Sequence, residues 1–298
     1  MQSLQSLAAI AREISALTGA PCAPAPQHSV AGGSINTSFR WPAGAAALFV
    51  KVGALSARDA FAAEAAGLLE LGRARALRVP QVLAQGHTDA AAFLALEWIE
   101  AGPADSACQR RLGEGLAALH AVTAPRFGWQ RDNTIGRTPQ LNGWSDDWLQ
   151  FWRERRLRPQ LARAAQNGFA GVLAAHGERL LESLPALLDG HTPAASLLHG
   201  DLWAGNWMAT ASGAPVILDP AVYYGDREAD VAMTRLFGGF RTAFYQAYQA
   251  AAPLTPGAEL RSELYNLYHV LNHANLFGGS YARQARSMMD RLLAEVGG

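Results

Sequence analysis

Asp201, Asn206 and Asp219 stand in a pattern that could move a phosphoryl group. Residues 197–208 read LLHGDLWAGNWM: an apolar pair, then His199-Gly200-Asp201, with Asn206 five positions after the Asp. The run PVIL then delivers Asp219. Phosphoryl transfer asks little covalent chemistry of a protein; it needs positioning and charge stabilisation. One carboxylate must sit beside the attacking hydroxyl, and hard oxygen ligands must hold Mg²⁺ against the phosphates. Asp201 is placed for the first task, Asn206 and Asp219 for the second. Taken singly, Asp, Gly and Asn are ordinary turn formers. The joint spacing between apolar runs is what selects the chemistry.

The net charge is zero, yet 24 of the 25 basic residues are Arg, Ala fills 59 positions, and the one Lys is Lys51. Lys51 ends the strand-like run AALFVK, and Glu64 follows thirteen residues later in a helical pattern. A strand Lys paired with a helix Glu can hold the α- and β-phosphates of a nucleotide. An ammonium is a compact point charge and a guanidinium a broad fork, so Arg would substitute poorly there. The loop AGGSIN, residues 31–36, offers Gly32, Gly33 and Ser34 as a phosphate-facing turn. It is not a Walker motif, because no Gly-Lys-Ser/Thr follows. LALEWIE would present a nucleobase edge through backbone groups at Glu97 and Ile99.

The elements that must position these residues read as follows. Helical spacing of Leu4, Leu7, Ile10, Ile14 and Leu17 predicts a helix over 3–18. Residues 27–52 read as strands with a Gly turn, 57–72 as a helix, and 81–85 and 92–99 as two more strands. Gly102-Pro103 marks a change. A helix is predicted over 106–121, and the remainder is mostly helical, with one strand-turn-strand island at 196–219. The expectation is an α+β chain with a small β-rich, nucleotide-binding N-lobe (1–100). A larger, mainly helical C-lobe (101–298) would carry the catalytic loop and substrate site.

Composition excludes other classes. Half of the residues are hydrophobic and 17% charged, which is globular. Zero net charge lacks the footprint of a nucleic-acid binder. No apolar run is long enough to span a membrane, and the start of the chain lacks the pattern of a secretory signal. Cys22 and Cys108 form no metal spacing and no disulfide framework, so a cytoplasmic protein is expected. Trp129, Trp144, Trp148 and Trp152, with Asp132 nearby, suit either sugar and amine recognition or packing. Trp203, inside the catalytic loop, is the better placed to face a substrate. His269 and His273 stand at i, i+4, but no third zinc ligand is evident. Hydrogen-bonded groups near a pocket are expected instead. The Arg-rich run 153–159 reads as a solvated helix face.

With these residues in view, the chain resembles the fructosamine/ketosamine-3-kinases, a branch of the protein-kinase-like fold near the aminoglycoside phosphotransferases. The resemblance rests on GGSIN (32–36), FVKV (49–52), the helix around Glu64, LEWIE (96–100), HGDLWAGN (199–206) and LYNLYHVLNHANLFGG (264–279). FGWQRDNTIGRTPQLNGWSDDW (127–148) and DPAVYYGDREADVAMTRLFGGF (219–240) are the more specific stretches. It implies a two-lobed fold and transfer of phosphate from ATP, with Mg²⁺, to the sugar O3 of ketosamines. Small ketosamines and glycated proteins would be the substrates, ribulosamines and erythrulosamines ahead of fructosamines, in deglycation repair. No nucleic acid, membrane or obligate protein partner is implied. Carried over, Asp201 is the catalytic base, Asn206 and Asp219 bind metal, and Lys51 and Glu64 hold the phosphates. His199 and Asp230 support the catalytic loop, and Trp203, Asp132, Trp144 and His273 are candidates for substrate contact. Some members carry a Cys in the phosphate loop where this chain has Ser34, so no redox switch is expected through that loop. The alternatives are another small-molecule kinase, of the aminoglycoside or choline type, and a catalytically dead binding module.

Overall fold

A computed structural model of the chain describes residues 4–30 and 37–297. In chain order its main elements begin with α1 (Leu4–Thr18), β1 (His28–Val30), β2 (Thr37–Ala43), β3 (Ala46–Gly53) and α2 (Arg58–Ala74). Then come β4 (Val82–His87), β5 (Ala92–Glu97), β6 (Ala101–Gly102), α3 (Ser106–His120), β7 (Thr123–Ala124), β8 (Asn133–Ile135) and β9 (Thr138–Gln140). They continue with α4 (Trp148–Phe151), α5 (Arg158–Ala164), α6 (Ala170–Leu187), β10 (Ala195–Leu198), β11 (Trp207–Thr210), β12 (Pro215–Ile217) and β13 (Tyr223–Gly225). α7 (Glu228–Leu236), α8 (Thr242–Ala251), α9 (Ala258–Phe277) and α10 (Gly279–Val296) complete the order. The chain forms two compact units, one of residues 1–108 and 205–220, the other of 109–204 and 221–298.

In the first unit an antiparallel sheet of order β1-β2-β3-β5-β4 carries a hydrophobic cluster on each face. Strand side chains alternate between faces. Trp41, Val50, Val52, Phe93 and Ala95 therefore join Ile10 and Ile14 of α1 on one side. Ala92, Leu94 and Leu96 join Phe61, Ala65 and Leu68 of α2 on the other. Lys51 lies between Val50 and Val52 and pairs across the sheet with Leu94, which sends it to the α2 face. On α2, Glu64 falls within the Phe61–Ala65–Leu68 stripe that meets that face. A second small sheet, β12-β11-β6, explains why residues 205–220 belong here. β11 pairs with β6, and Ile217 N donates to Arg78 O at 3.0 Å. A Cβ on Gly102 would stand 2.4 Å from Thr210 O, so this pairing requires a glycine.

In the second unit α9 is buried on nearly every side, through Leu264, Tyr265, Leu267, Tyr268, Val270, Leu271 and Ala274. The amphipathic α10 lays Ala285, Met289 and Leu292 toward it and packs on α6 as well. Between α4 and α6 the helical path widens into π-helical turns at Trp152–Leu157 and Ala165–Phe169, and Gly168 takes φ 87° in the second. Residues 123–147 correct the expectation of a mainly helical stretch. They hold β7 and the β8–β9 hairpin and no helix, and β13 adds a strand beyond the expected island. These strands have two or three residues, too few for a period of two to show in sequence.

Candidate active site

In the first unit Lys51 Nζ bridges two carboxylates, 2.7 Å from Glu64 Oε1 and 2.6 Å from Asp219 Oδ1. Burial opposes the ammonium charge, but the Asp219 and Glu64 carboxylates outweigh it and hold the group above its ordinary value. Burial pushes Glu64 upward; Lys51 pulls it down and Asp219 adds to the rise. Asp219 follows β12 in a left-handed conformation, φ 53°, uncommon for a residue with a Cβ. Asn206 is buried, its Nδ2 donates to Asp219 O at 3.4 Å, and its own carbonyl accepts from Leu218 N at 2.9 Å. With Nδ2 committed to a carbonyl, Oδ1 is the amide atom that could serve a cation. Glu97 closes β5; its N–H goes to Gln81 O and its carboxylate pairs with Arg78. Ile99, two residues on, is half-buried. Gly32, Gly33 and Ser34 lie outside the described residues.

In the second unit the loop that begins at His199 leaves β10 under tight restraint. The Asp230 carboxylate accepts from His199 N at 2.7 Å and Gly200 N at 2.8 Å, and lies 3.2 Å from His120 Nε2. Burial alone would raise the Asp230 pKa. The hydrogen bond and charge of His120, the charge of His199 and the Gly200 amide reverse that and hold it below its ordinary range. Asp230 therefore stays an anion whose oxygens are committed to the loop. Gly200 takes φ 82°, and a Cβ there would stand 2.0 Å from Ala221 O. Asp201 N donates to His199 Nδ1 at 3.2 Å. His120 was not legible as a partner of Asp230; its only signal is a His ending the stripe Leu112–Leu116–Leu119.

The substrate candidates separate into two groups. Trp203, 39% exposed, meets Phe237 edge to face, and Phe237 meets His273 at 4.9 Å. Tyr281 adds a ring 5.1 Å from His273. His273 Nδ1 donates to His269 O at 2.8 Å, and burial lowers its pKa, so the ring stays neutral near pH 7. Trp144, 37% exposed, instead contacts Tyr224. The Asp132 carboxylate accepts from Asn142 N at 2.7 Å and ties together the two ends of the β8–β9 hairpin. Trp129, Trp148 and Trp152 are buried packing groups. His269 is buried and pushed down to about 3 by burial and by His273. Its partner His273 is bonded to the helix backbone, an arrangement for packing and not for zinc. His191, Asp226 and Glu228 cluster closely enough for a cation. Their oxygens are occupied: Asp226 by His191 and Tyr265, Glu228 by Arg261 and Thr255. Arg156, in the Arg-rich run, is fully buried, against the expectation of a solvated face. It lies in a π-helical turn, where the helical period used to read its face does not hold.

A family model described as fructosamine kinase matches residues 6–295. The chain belongs to the fructosamine kinase family. Among relatives of this fructosamine kinase chain, a probable ketoamine kinase of Synechocystis is 45% identical over 285 residues, covering 95% of this chain and 96% of the relative. A chloroplastic protein-ribulosamine 3-kinase of Arabidopsis thaliana is 39% identical over 268 residues, covering 89% and 82%. A crystal structure named as a candidate fructosamine-3-kinase from Haemophilus somnus superposes with a TM-score of 0.87 at 28% identity, covering 95% of this chain and 96% of that one. An aminoglycoside phosphotransferase, 16% identical with a TM-score of 0.63 over 97% and 99% of the two chains, shares the fold alone. The fold is therefore protein-kinase-like, and the activity class of the family is that of a kinase. Among the described residues no helix is long and apolar enough to cross a membrane.

Proposed function

We propose that this fructosamine kinase family member transfers the γ-phosphoryl group of ATP to the O3 hydroxyl of ketosamines, ribulosamines and erythrulosamines ahead of fructosamines. Such a transfer would serve the repair of glycated amines and proteins. The observation that carries the reading is the buried Lys51 bridging Glu64 and Asp219. That is the arrangement a phosphate-binding Lys needs to be held in place and kept charged. The ribulosamine and ketoamine names of the relatives support the substrate class.

Asp201 accepts the proton of the attacking hydroxyl, and His199 and Asp230 hold the backbone that presents it. Lys51 binds the α- and β-phosphates while Glu64 keeps its ammonium oriented. Gly32, Gly33 and Ser34 line the phosphates, and Glu97 and Ile99 face the adenine. Asn206 and Asp219 supply an amide and a carboxylate oxygen, the hard donors that Mg²⁺ prefers. When bound there, Mg²⁺ neutralises charge on the transferring phosphate. The neutral ring of His273, with Trp203, forms an aromatic wall suited to a secondary ammonium, and Trp144 and Asp132 are secondary candidates. A cytoplasmic setting belongs to the same reading.

The test is a panel of ATP, Mg²⁺ and one acceptor: ribulose-lysine, fructose-lysine or kanamycin. Wild type should phosphorylate ribulose-lysine, and Asp201→Ala should lose that turnover. Transfer to kanamycin alone would sink the reading. Equal, zero turnover by both proteins on all three would favour a binding module.

A further inference from the structure

Three buried amides of the segment 127–148 form a chain whose polarity is fixed at both ends. At one end stands Arg156 in the π-helical turn Trp152–Leu157, fully buried. Among the described residues its charge is met by ring faces and neutral oxygens. Its guanidinium lies 4.0 Å from the Tyr223 ring centroid and 4.6 Å from that of Phe151. It donates to Leu141 O at 2.6 Å and Asn142 Oδ1 at 2.8 Å. A guanidinium only donates, so Asn142 Oδ1 must accept. That turns Asn142 Nδ2 toward Asn133 Oδ1 at 2.8 Å, and Asn133 Nδ2 toward Val222 O at 2.8 Å. Gln140 Nε2 donates to Asn133 Oδ1 at 2.9 Å and to Ala221 O at 3.0 Å, while its Oε1 accepts from Tyr268 OH at 2.8 Å. Flipping any one amide would set oxygen against oxygen, or N–H against guanidinium.

The far end of this chain is the backbone of residues 221 and 222, and that backbone supports the catalytic loop. Ala221 N donates to His199 O at 2.8 Å. Ala221 O lies against the bare α-carbon of Gly200. We propose that Gln140 is a positioning residue for Asp201, acting through Ala221, with Tyr268 fixing the orientation of its amide. The proposal rests on the phosphoryl-transfer reading of Asp201. The site asks one side chain for two donations and one acceptance, which an amide provides and an ionised carboxylate or thioether does not. Tyr268 stays an un-ionised donor to Gln140 Oε1. Burial raises its hydroxyl to about 12 against the pull of Arg156, and the Asp201 charge adds to the rise. A displacement on the order of 1 Å at a reacting group costs about 10²-fold in rate. Segment 127–148 would thus aim the base as well as line the substrate side.

The test compares full-length wild type, Gln140→Met and Tyr268→Phe by steady-state kinetics with ATP and ribulose-lysine. Hydrogen exchange of the peptide 196–203 is followed in parallel. Gln140→Met should lower kcat about 10- to 100-fold with both KM values within about twofold and faster exchange in 196–203 only. Tyr268→Phe should move the same way by less. A folded Gln140→Met with wild-type kcat, or with reduced kcat but unchanged exchange in 196–203, would overturn the proposal. Should Gln140→Met fail to fold, Tyr268→Phe decides by the same two readouts. A wild type inactive on every ketosamine would end the functional reading instead, and the exchange comparison would still judge the positioning.

Discussion

Lys51→Arg keeps the charge and changes only its shape, which makes it the sharpest probe of the proposed nucleotide site. Nζ sits 2.7 Å from Glu64 and 2.6 Å from Asp219, on a side chain only 9% exposed. A guanidinium is one bond longer and planar, so it cannot occupy this point between two carboxylates without moving them or itself. A displacement on the order of 1 Å predicts a kcat loss of about 10²-fold, or about 3 kcal/mol of barrier. The fold should survive, because a cation remains for both acids. Lys51→Met should be worse for stability. It strands a buried Glu64, although the 40% exposure of Asp219 keeps the cost below the roughly 3–5 kcal/mol of a fully buried broken pair. The assay is initial-rate ADP release with ribulose-lysine, beside a thermal melt of each variant. Turnover of Lys51→Arg within threefold of wild type, with an unchanged melt, would refute the argument that geometry, beyond charge, fixes this Lys.

Three further outcomes follow from the second unit. Gly200→Ala should lower the melting temperature and abolish turnover, since its Cβ would stand 2.0 Å from Ala221 O at φ 82°; a melt and a rate measurement check this. Arg261→Met should cost about 3–5 kcal/mol in urea unfolding, because it leaves the Glu228 carboxylate, 2.7 Å from Arg261 Nε, buried without its cation. His269 holds a folded pKa of about 3 against an ordinary 6.5. Between those values the unfolded chain binds a proton that the folded chain does not, so stability falls as pH drops below 6.5. The loss should be about 2 kcal/mol between pH 7 and pH 5. His269→Met should show a flatter profile in urea unfolding at the two pH values.

Much of the first unit was legible because its signals are local. α1 and α2 announce themselves by helical spacing, and Lys51 by being the sole Lys on a strand-like run. Glu64 is an ordinary helix Glu until β3 and α2 face each other, so its pairing was readable only from order along the chain. The polar core of the second unit was hidden for a physical reason. Asn133, Gln140 and Asn142 carry no local signal of burial, and nothing local reveals that each finds its partners among residues 131–156, 221–222 and 268. Arg156 was misleading in the same way. The buried Trp129, Trp148 and Trp152 and the exposed Trp144 and Trp203 are likewise told apart by neighbours that are distant in sequence.

The membership of residues 205–220 in the first unit has a consequence for synthesis. β6 has no β11 to pair with until the ribosome has added roughly 100 residues beyond Cys108. At about 5–20 residues per second, that is a wait of roughly 5 to 20 s. Through that interval the nascent first unit carries an unfinished edge at Ala101–Gly102 and no Asp219 to share Lys51. Completion of the Lys51–Glu64–Asp219 cluster is therefore timed by translation of about half of the second unit, and a chain released early would hold Lys51 and Glu64 without the second acid they are built to meet.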